Sequence, residues 1–338
     1  MGPMRTSLRA AGLAIVGSAA VPAVAAAHGV APPPPSDPLQ LLAMWTFDPL
    51  VQVPLIASAV AWVSAVRTVN AAHPANRVPV RRTVAFLAGL AAIELALQSP
   101  IEHYDTTLFS VHMIQHILLM MIAAPLIAAG APITLLLRFS RPAFRRRWIL
   151  PVLHSRVLRI LTFPVVAWVL FAAVMWGTHF SPVFNTSLEE PLVHQAEHLA
   201  YLVVALLFWW PVVGADPSPW RMAYPLRVLY VFLQMPQNTF LALAIYSSSS
   251  VLYPHYATLQ RTWGPTALAD QQLAGGLMWV IGDLTFLVAV LFVVYAWMRQ
   301  EDRNAVRTDA RMDAELAEIQ RREVQLADRL ARERAGER

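Results

Sequence analysis

Apolar residues dominate seven stretches of this chain, and each stretch is about as long as a membrane-spanning helix. A helix needs about 20 residues to cross the roughly 30 Å hydrocarbon core of a bilayer. Polar residues are concentrated between these stretches and at the C-terminal end. The pattern predicts an all-α fold, a polytopic transmembrane bundle of about seven helices within residues 48–298, with spans near 48–66, 83–100, 107–129, 160–179, 191–213, 226–246 and 272–298.

The N-terminal segment, residues 1–27, has the pattern of a secretory signal peptide. Arg5 and Arg9 precede a short apolar run, and Ala25-Ala26-Ala27 provides a small-residue cleavage site. We predict that this segment is cleaved; the alternative is an uncleaved additional span. Residues 28–47, with four consecutive prolines, are then expected to form an extracytoplasmic Pro-rich linker.

The arginines between the spans predict the orientation. Every one of the 26 basic residues is Arg, and the loops after spans one, three and five hold Arg67, Arg77, Arg81, Arg82, Arg138, Arg141, Arg145, Arg146, Arg147, Arg156, Arg159, Arg221 and Arg227. The loops on the opposite side hold only Arg261. By the positive-inside rule the Arg-rich loops are cytoplasmic, so the mature N-terminus lies outside and the C-terminus in the cytoplasm of a bacterial cytoplasmic (inner) membrane.

The net charge of +5 invites a nucleic-acid-binding interpretation, but the placement of the arginines argues against it. Charges that flank spans on one side are explained by membrane insertion. We therefore expect the lipid bilayer, and no nucleic acid, as the partner of this surface.

Residues 299–338 are predicted to form a charged, helical cytoplasmic tail. They contain ten Arg and ten acidic residues, and apolar residues recur every three or four positions at Met312, Leu316, Ile319, Leu326 and Leu330. That spacing is typical of an amphipathic helix or a weak coiled coil. Self-association or partner binding through this helix is the alternative to a solvated tail.

Eight of the ten histidines fall on the predicted outer side, and four of them form two matching pairs. His112 and His116 in span three, and His194 and His198 in span five, both have the spacing H-x-x-x-H. Residues four apart lie on one face of a helix, about 6 Å apart along its axis. Because both pairs lie near the start of inward-running helices, they should share one depth, and we predict that they bind a metal ion together.

Further residues are predicted to bind or orient that ion. His179 ends span four and His103 follows span two, so both reach the same level and are candidate ligands. Glu94, one turn before Gln98, and Glu197, inside the second pair, are predicted to orient ligand imidazoles through the second ring nitrogen.

The residue types restrict the metal. The chain has no cysteine, which excludes thiolate ligands and disulfides. Imidazoles without thiolates suit copper, zinc or iron, and the nearby thioethers of Met113, Met120, Met121 and Met175 favour copper.

Three separated segments resemble one known family in the same order. They are FSVHMIQHILLMMIAAPLIAAGAP (109–132), HQAEHLAYLVVALLFWWPVVG (194–214) and LADQQLAGGLMWVIGDL (268–284). They are similar to the multi-spanning cytochrome c oxidase assembly protein CtaG family, linked to caa-type oxidases, and the similarity covers roughly residues 45–300. A single-span assembly factor of similar name holds copper through cysteines, which this chain lacks.

The resemblance implies an assembly factor rather than an enzyme, with haem-copper oxidase subunits as partners and a part in copper delivery. The positions that it singles out are His112, His116, His194, His198, Asp270 and Gln271. Two other functions stay open from the residues. One is a redox protein carrying bis-His haem, since facing helices each supply histidines. The other is a metal transporter, suggested by Glu94 and Asp283 within spans.

Overall fold

The computed structural model describes residues 31–336, and every regular element among them is helical. Seven long helices, here α1 to α7, are α1 (Pro49–Ala72), α2 (Val80–Gln98), α3 (Phe109–Phe139), α4 (Pro164–His179), α5 (Pro191–Val213), α6 (Tyr224–Tyr246) and α7 (Ala267–Gly336). Short helical segments connect them: Pro38–Ala43, Pro100–Tyr104, Pro142–Phe144, Arg145–Ile149, Leu150–Leu153, Arg156–Leu161, Pro182–Glu189 and Pro254–Thr258. The predicted signal peptide, 1–27, and the start of the linker lie outside the described residues.

The chain is a polytopic membrane helical bundle, as predicted. Within residues 31–336, six helices are long and apolar enough to cross a bilayer. The remaining long helix, α4, has only 16 residues. It is long enough to cross a bilayer only when it is counted together with Pro182–Glu189, and the two segments meet at a bend of 71°. Pro164 and Pro182 begin these two segments, where proline stabilises the first turn, and the break between them produces the bend.

Helix α7 is much longer than the predicted span 272–298. It runs for 70 residues without interruption, about 105 Å at 1.5 Å per residue. Its last part, beyond Met298, is the predicted charged helical tail, and it projects from the bundle with exposed side chains, including Met312 and Leu316. Whether this part binds a partner stays a prediction.

The helices differ strongly in burial. Helix α5 lies at the centre, and half of the residues in its apolar 18-residue segment are buried. In the corresponding segment of α1, only 11% of the residues are buried. Helix α1 packs at the edge through Trp62, whose indole stacks on Phe86 of α2 at a centroid distance of 3.9 Å. The side chains of α1 therefore face mainly the lipid.

Glycines allow two close helix contacts. A Cβ at Gly89 of α2 would lie 2.7 Å from Ile127 Cγ1 of α3, and a Cβ at Gly275 of α7 would lie 2.8 Å from Tyr246 N of α6. Small residues let backbones approach in membranes, where packing replaces the hydrophobic effect as the driving force. These contacts fix α3 and α7, which carry residues of the site described next.

Helix α3 is not regular. A π-helical turn, Leu118–Ala123, interrupts it in the middle, and Ala131 with φ 61° breaks it before Pro132. The break leaves backbone N–H groups without helical partners at the start of the last part of α3, and they donate to the Asp216 carboxylate. The distances are 3.0 Å from Ile133 N and 2.6 Å from Thr134 N. π-turns are rare and are found mostly at functional positions.

Candidate metal centre

The two histidine pairs meet at one end of the bundle, here called the histidine end, where α3 and α5 begin. The imidazole centroids of His112 and His116 are 4.2 Å apart, as are those of His194 and His198. Across the two helices the centroids are 5.3 Å apart for His112 and His194, and 5.9 Å apart for His116 and His198. The structure thus brings all four rings into one cluster.

A fifth imidazole completes this cluster. His179, the last residue of α4, has its ring centroid 6.4 Å from that of His116. Its Nδ1 lies 2.8 Å from the carbonyl oxygen of Met175, which can only accept, so Nδ1 carries the proton. The lone pair of His179 is therefore on Nε2, a buried atom with no hydrogen-bond partner among the described residues.

The imidazoles are buried, yet several of their nitrogens lack partners. The side chains of His112, His116 and His198 are at most 5% exposed. A buried polar atom without a hydrogen bond costs about 1–3 kcal/mol, so native proteins rarely leave several together. Within residues 31–336, the atoms here without a hydrogen-bond partner are Nδ1 and Nε2 of His112 and His116, Nε2 of His179 and His194, both carboxylate oxygens of Glu197, and Oδ2 of Asp105.

Two carboxyl groups border the rings. Asp105 Oδ2 lies 3.5 Å from His194 Nε2. Asp105, His112 and His194 each offer a ligand atom, all within 4.8 Å of one another, and His112, His116 and Glu197 form a second such group. The structure thus places Glu197 among possible ligands rather than behind them.

Asp105 lies between the ends of α2 and α3 and is buried. Burial raises the pKa of this carboxyl well above its usual value, and the neighbouring carboxyl of Glu102 raises it further. No cationic side chain offsets these effects among the groups that act on it. The cation that could pair with this carboxylate is His194, whose Nε2 lies 3.5 Å from Oδ2 and which is charged only when protonated.

A hydrogen-bond chain orients His198. The Gln115 amide nitrogen donates to Ala96 O at 3.0 Å and to Glu102 Oε2 at 2.6 Å, so its oxygen is free to accept. That oxygen lies 2.9 Å from His198 Nε2, which therefore carries the proton. The lone pair of His198 is left on Nδ1, and a neighbour of this kind commonly fixes the tautomer of a metal-binding histidine.

Asp270 and Gln271 support the cluster from α7. Asp270 Oδ2 accepts from Phe109 N at 2.7 Å and its Oδ1 accepts from Ser110 Oγ at 2.5 Å, so it caps the first turn of α3 from another helix. Gln271 Oε1 accepts from Leu252 N at 2.7 Å and thereby holds the loop after α6. Both residues thus hold backbone next to the site, and neither forms a hydrogen bond to an imidazole among residues 31–336.

That loop covers the histidine end. The Tyr253 hydroxyl donates to His179 O at 3.3 Å, and the Tyr256 hydroxyl donates to Asp105 O at 2.8 Å. Both tyrosines are nearly fully buried. The cluster is thus closed toward solvent by the segment around Pro254–Thr258.

Two of the predicted site residues lie elsewhere. The side chain of His103 is exposed, with its ring edge-on to Tyr104 at 4.8 Å, because it faces away from the bundle on the short helix Pro100–Tyr104. The Glu94 carboxylate faces Gln52 of α1. When the Gln52 amide is turned so that its nitrogen points to Glu94, that nitrogen lies 3.0 Å from both carboxylate oxygens. The structure therefore joins neither residue to the imidazole cluster.

Three residues of the site escaped the sequence analysis: Asp105, Gln115 and Tyr201. Asp105 precedes α3 by a few residues, and no helical periodicity links it to His112. Gln115 lies three residues after His112, and Tyr201 three after His198, so the helical repeat offered a signal for both. The Tyr201 ring contacts that of His116 edge-on, with centroids 4.4 Å apart.

The donor set fits a transition-metal ion. A metal–imidazole bond is about 2.0–2.1 Å long, so two ligands of one ion lie at most about 4 Å apart. Each group found here has three ligand atoms within 4.8 Å of one another, and three ligands of one ion lie roughly 3.5 Å apart, so binding needs a closure of up to about 1.3 Å.

Comparison with known proteins decides the family. The profile of the cytochrome c oxidase caa3 assembly factor family, Caa3_CtaG, matches residues 60–300. The chain belongs to this family. The match includes α2 to α6, the membrane part of α7, and every histidine of the cluster, so the resemblance found from the three segments is confirmed.

Curated relatives of this caa3 assembly factor family member are mycobacterial. Uncharacterized proteins of Mycobacterium bovis and Mycobacterium tuberculosis are each 33% identical over 293 residues, and one of Mycobacterium leprae is 30% identical. These matches cover 85% of this chain but 44% of each relative, so the chain spans less than half their length. No solved structure matches the chain at a significant level.

Proposed function

We propose that this protein is an assembly factor for cytochrome c oxidase that binds copper at the histidine end and helps to supply it to the oxidase. The single observation behind this proposal is the cluster of buried imidazoles, several of whose nitrogens have no hydrogen-bond partner among residues 31–336. Membership of the caa3 assembly factor family gives the cluster its context. The role is that of a carrier with oxidase subunits as partners, and no bond-making chemistry is assigned to it.

An ion suits the cluster better than haem, the alternative left open by the sequence. A macrocycle needs a gap between facing imidazoles, whereas the rings of His112 and His194 are stacked at a centroid distance of 5.3 Å.

Metal transport finds less support than binding. Both acidic residues that suggested it have protein partners, Gln52 for Glu94, and Asn238 together with Thr239 for Asp283. A translocation path needs ionisable groups that face water or the moving ion. Metal flux measured in sealed vesicles tests this alternative.

Copper is favoured among the metals that imidazoles bind. At a nitrogen-rich site without thiolates, the affinity order of divalent ions places copper highest. Mixed imidazole and carboxylate ligands also permit transfer by ligand exchange, which a carrier requires. The positive-inside rule places the histidine end on the extracytoplasmic face of a bacterial cytoplasmic membrane, where copper would be received.

Metal analysis tests the proposal. Detergent-purified wild-type protein, loaded with copper and desalted, is expected to retain it, and His116→Ala/His198→Ala is expected to lose it. The matched control is His73→Ala/His154→Ala, because both residues are exposed at the opposite end. Equal copper in all three proteins would overturn the assignment of the ligands.

A second readout tests the cellular role. Cells that carry the wild-type gene or the His73/His154 control are expected to contain oxidase with a full complement of copper. Cells with the His116/His198 variant are expected to contain copper-poor oxidase at an equal level of the membrane protein. Normal oxidase copper in those cells would contradict the delivery role.

A further inference from the structure

Five methionines surround one small cavity that lies deeper in the bundle than the imidazole cluster. The cavity has a volume of about 20 Å³ and is lined by His116 and the methionine side chains of Met113, Met120, Met121, Met175 and Met278. We refer to it as the methionine cavity. It adjoins the imidazole cluster because His116 belongs to both.

The methionines come from three helices. Met113, Met120 and Met121 lie on α3, Met175 on α4 and Met278 on α7. All five are at most 6% exposed. They therefore converge on one point from several directions and do not form a stripe along a single helix.

The irregular part of α3 contributes to this convergence. Met120 and Met121 are neighbours in sequence, and neighbours on a regular α-helix point about 100° apart. Both belong to the π-helical turn Leu118–Ala123, which widens the helix, and both line the same cavity. π-turns of this kind occur mostly at functional positions.

Methionine is also an adaptable filler of apolar cores. The alternative is therefore that the five side chains only pack. Two features favour a ligand. Five of the 12 methionines of the chain meet at one ion-sized space, and an imidazole with two unpaired nitrogens, that of His116, lies at its edge.

The charge of the surroundings selects the kind of ion. Among the described residues, the cavity lining contains no acidic side chain; its polar side chains are the imidazole of His116 and the neutral amide of Asn238. The cost of moving an ion into an apolar medium rises with the square of its charge, so a monovalent ion costs about a quarter as much as a divalent one. Thioethers are soft ligands and select Cu(I).

We propose that the methionine cavity is a second metal site, specific for a soft monovalent cation, Cu(I) or its analogue Ag(I). The ligands of this site are the methionine sulfurs, and the proposal does not require that the imidazole cluster binds copper. It would hold the reduced ion in a place that divalent zinc and copper avoid.

X-ray absorption of the Cu(I)-loaded protein tests this site directly. Because the chain contains no cysteine, any sulfur in the first coordination shell of copper must come from methionine. The wild-type protein, purified in detergent and loaded anaerobically with Cu(I), is expected to show copper–sulfur scattering. Scattering from nitrogen and oxygen alone would overturn the proposal without any variant.

A matched pair of variants then locates the sulfur. Met113→Leu/Met175→Leu/Met278→Leu removes one ligand from each of three helices with little change of volume. It is expected to reduce the sulfur scattering to what Met120 and Met121 supply, and to weaken Cu(I) binding, measured by competition with bicinchoninate, by at least about ten-fold. The control is Met44→Leu/Met222→Leu/Met235→Leu, whose methionines lie outside the cavity lining. Reduced sulfur scattering in the control, or undiminished sulfur scattering in the first variant, would contradict the assignment.

One further variant separates this site from the imidazole cluster. His194→Ala/His198→Ala removes two imidazoles that do not line the methionine cavity. It is expected to lose Cu(II) but to retain Cu(I) with sulfur scattering and Ag(I) binding. If both ions are lost together, the two sites are one and the separate site is refuted.

Discussion

Two groups of polar side chains lie inside this bundle, and they differ in how their hydrogen bonds are satisfied. Around Asp283, Oδ1 accepts from Asn238 Nδ2 at 3.0 Å and Oδ2 accepts from Thr239 Oγ1 at 2.5 Å. At the histidine end, the ring nitrogens of His112 and His116 have no such partners within residues 31–336. The first group joins α6 to α7, whereas the second leaves lone pairs directed into a buried space.

The difference distinguishes a structural polar cluster from a binding site. Polar groups in hydrocarbon are costly, so a cluster that serves packing alone pairs all of its members. A cluster that binds an ion must keep lone pairs free of protein donors. The sequence could not separate the two, because ionisable residues within spans mark both. Variants of the two groups are therefore expected to fail in different ways.

The largest expected effect is the loss of copper-dependent stability. Copper at about 100 times its dissociation constant should raise the free energy of unfolding of the wild-type protein by about 2.7 kcal/mol. His112→Ala/His116→Ala/His194→Ala/His198→Ala should show no rise with Cu(II), because no histidine pair of the cluster remains. Thermal unfolding in detergent with and without copper measures both. A full copper effect in this variant would place the ion elsewhere.

The next effect concerns the hydrogen-bonded group around Asp283. Asp283→Ala leaves the Asn238 amide and the Thr239 hydroxyl without their shared acceptor, and the free energy of unfolding should fall by about 2 kcal/mol. Copper affinity should not change. Asp283→Asn retains an acceptor and is the control, expected to lose less stability. A selective loss of copper from Asp283→Ala would abolish the distinction between the two groups.

The support of His198 gives a smaller effect. Gln115→Leu removes the acceptor for His198 Nε2–H, so the ring is no longer held in one tautomer, and copper affinity should fall by about ten-fold. Gln195→Leu is the matched control, since Gln195 donates instead to Asp48 Oδ2 at 3.0 Å. Titration of copper against a competing chelator measures both proteins. Equal affinities would mean that Gln115 does not orient the ligand.

Loss of the cap on α3 should lower the free energy of unfolding by about 1 kcal/mol. Asp270→Ala exposes the first backbone donors of the helix that carries His112 and His116, and caps of this kind are worth about 1 kcal/mol. Asp270→Asn keeps an acceptor oxygen and should restore most of the loss. Chemical unfolding of the metal-free proteins provides the comparison, and an unaltered stability of Asp270→Ala would remove the cap from the account.

The smallest expected effect is that of replacing Glu94, which the sequence predicts to orient a ligand imidazole but which the structure places against α1. The carboxylate faces Gln52 on α1, so Glu94→Gln should change copper affinity by less than about two-fold, as expected for a substitution away from the site. The same chelator competition serves as the measurement. A ten-fold loss would restore Glu94 to the role that its position along span two suggested.

The sequence by itself determined the helical bundle, the approximate spans, the charged helical tail and the two H-x-x-x-H pairs. Each of these depends on hydrophobicity or on the 3.6-residue repeat, which act within one helix. Resemblance in three segments also determined the family. Metal binding by the histidines stays a prediction.

Only the tertiary structure decided which side chains share the site. Asp105 reaches His194, while Glu94 turns to α1 and His103 to the surface, because a residue's neighbours depend on how each helix is rotated and packed. Likewise, the five methionines meet only because α3, α4 and α7 converge around a π-turn. No periodicity along a single chain segment carries that information.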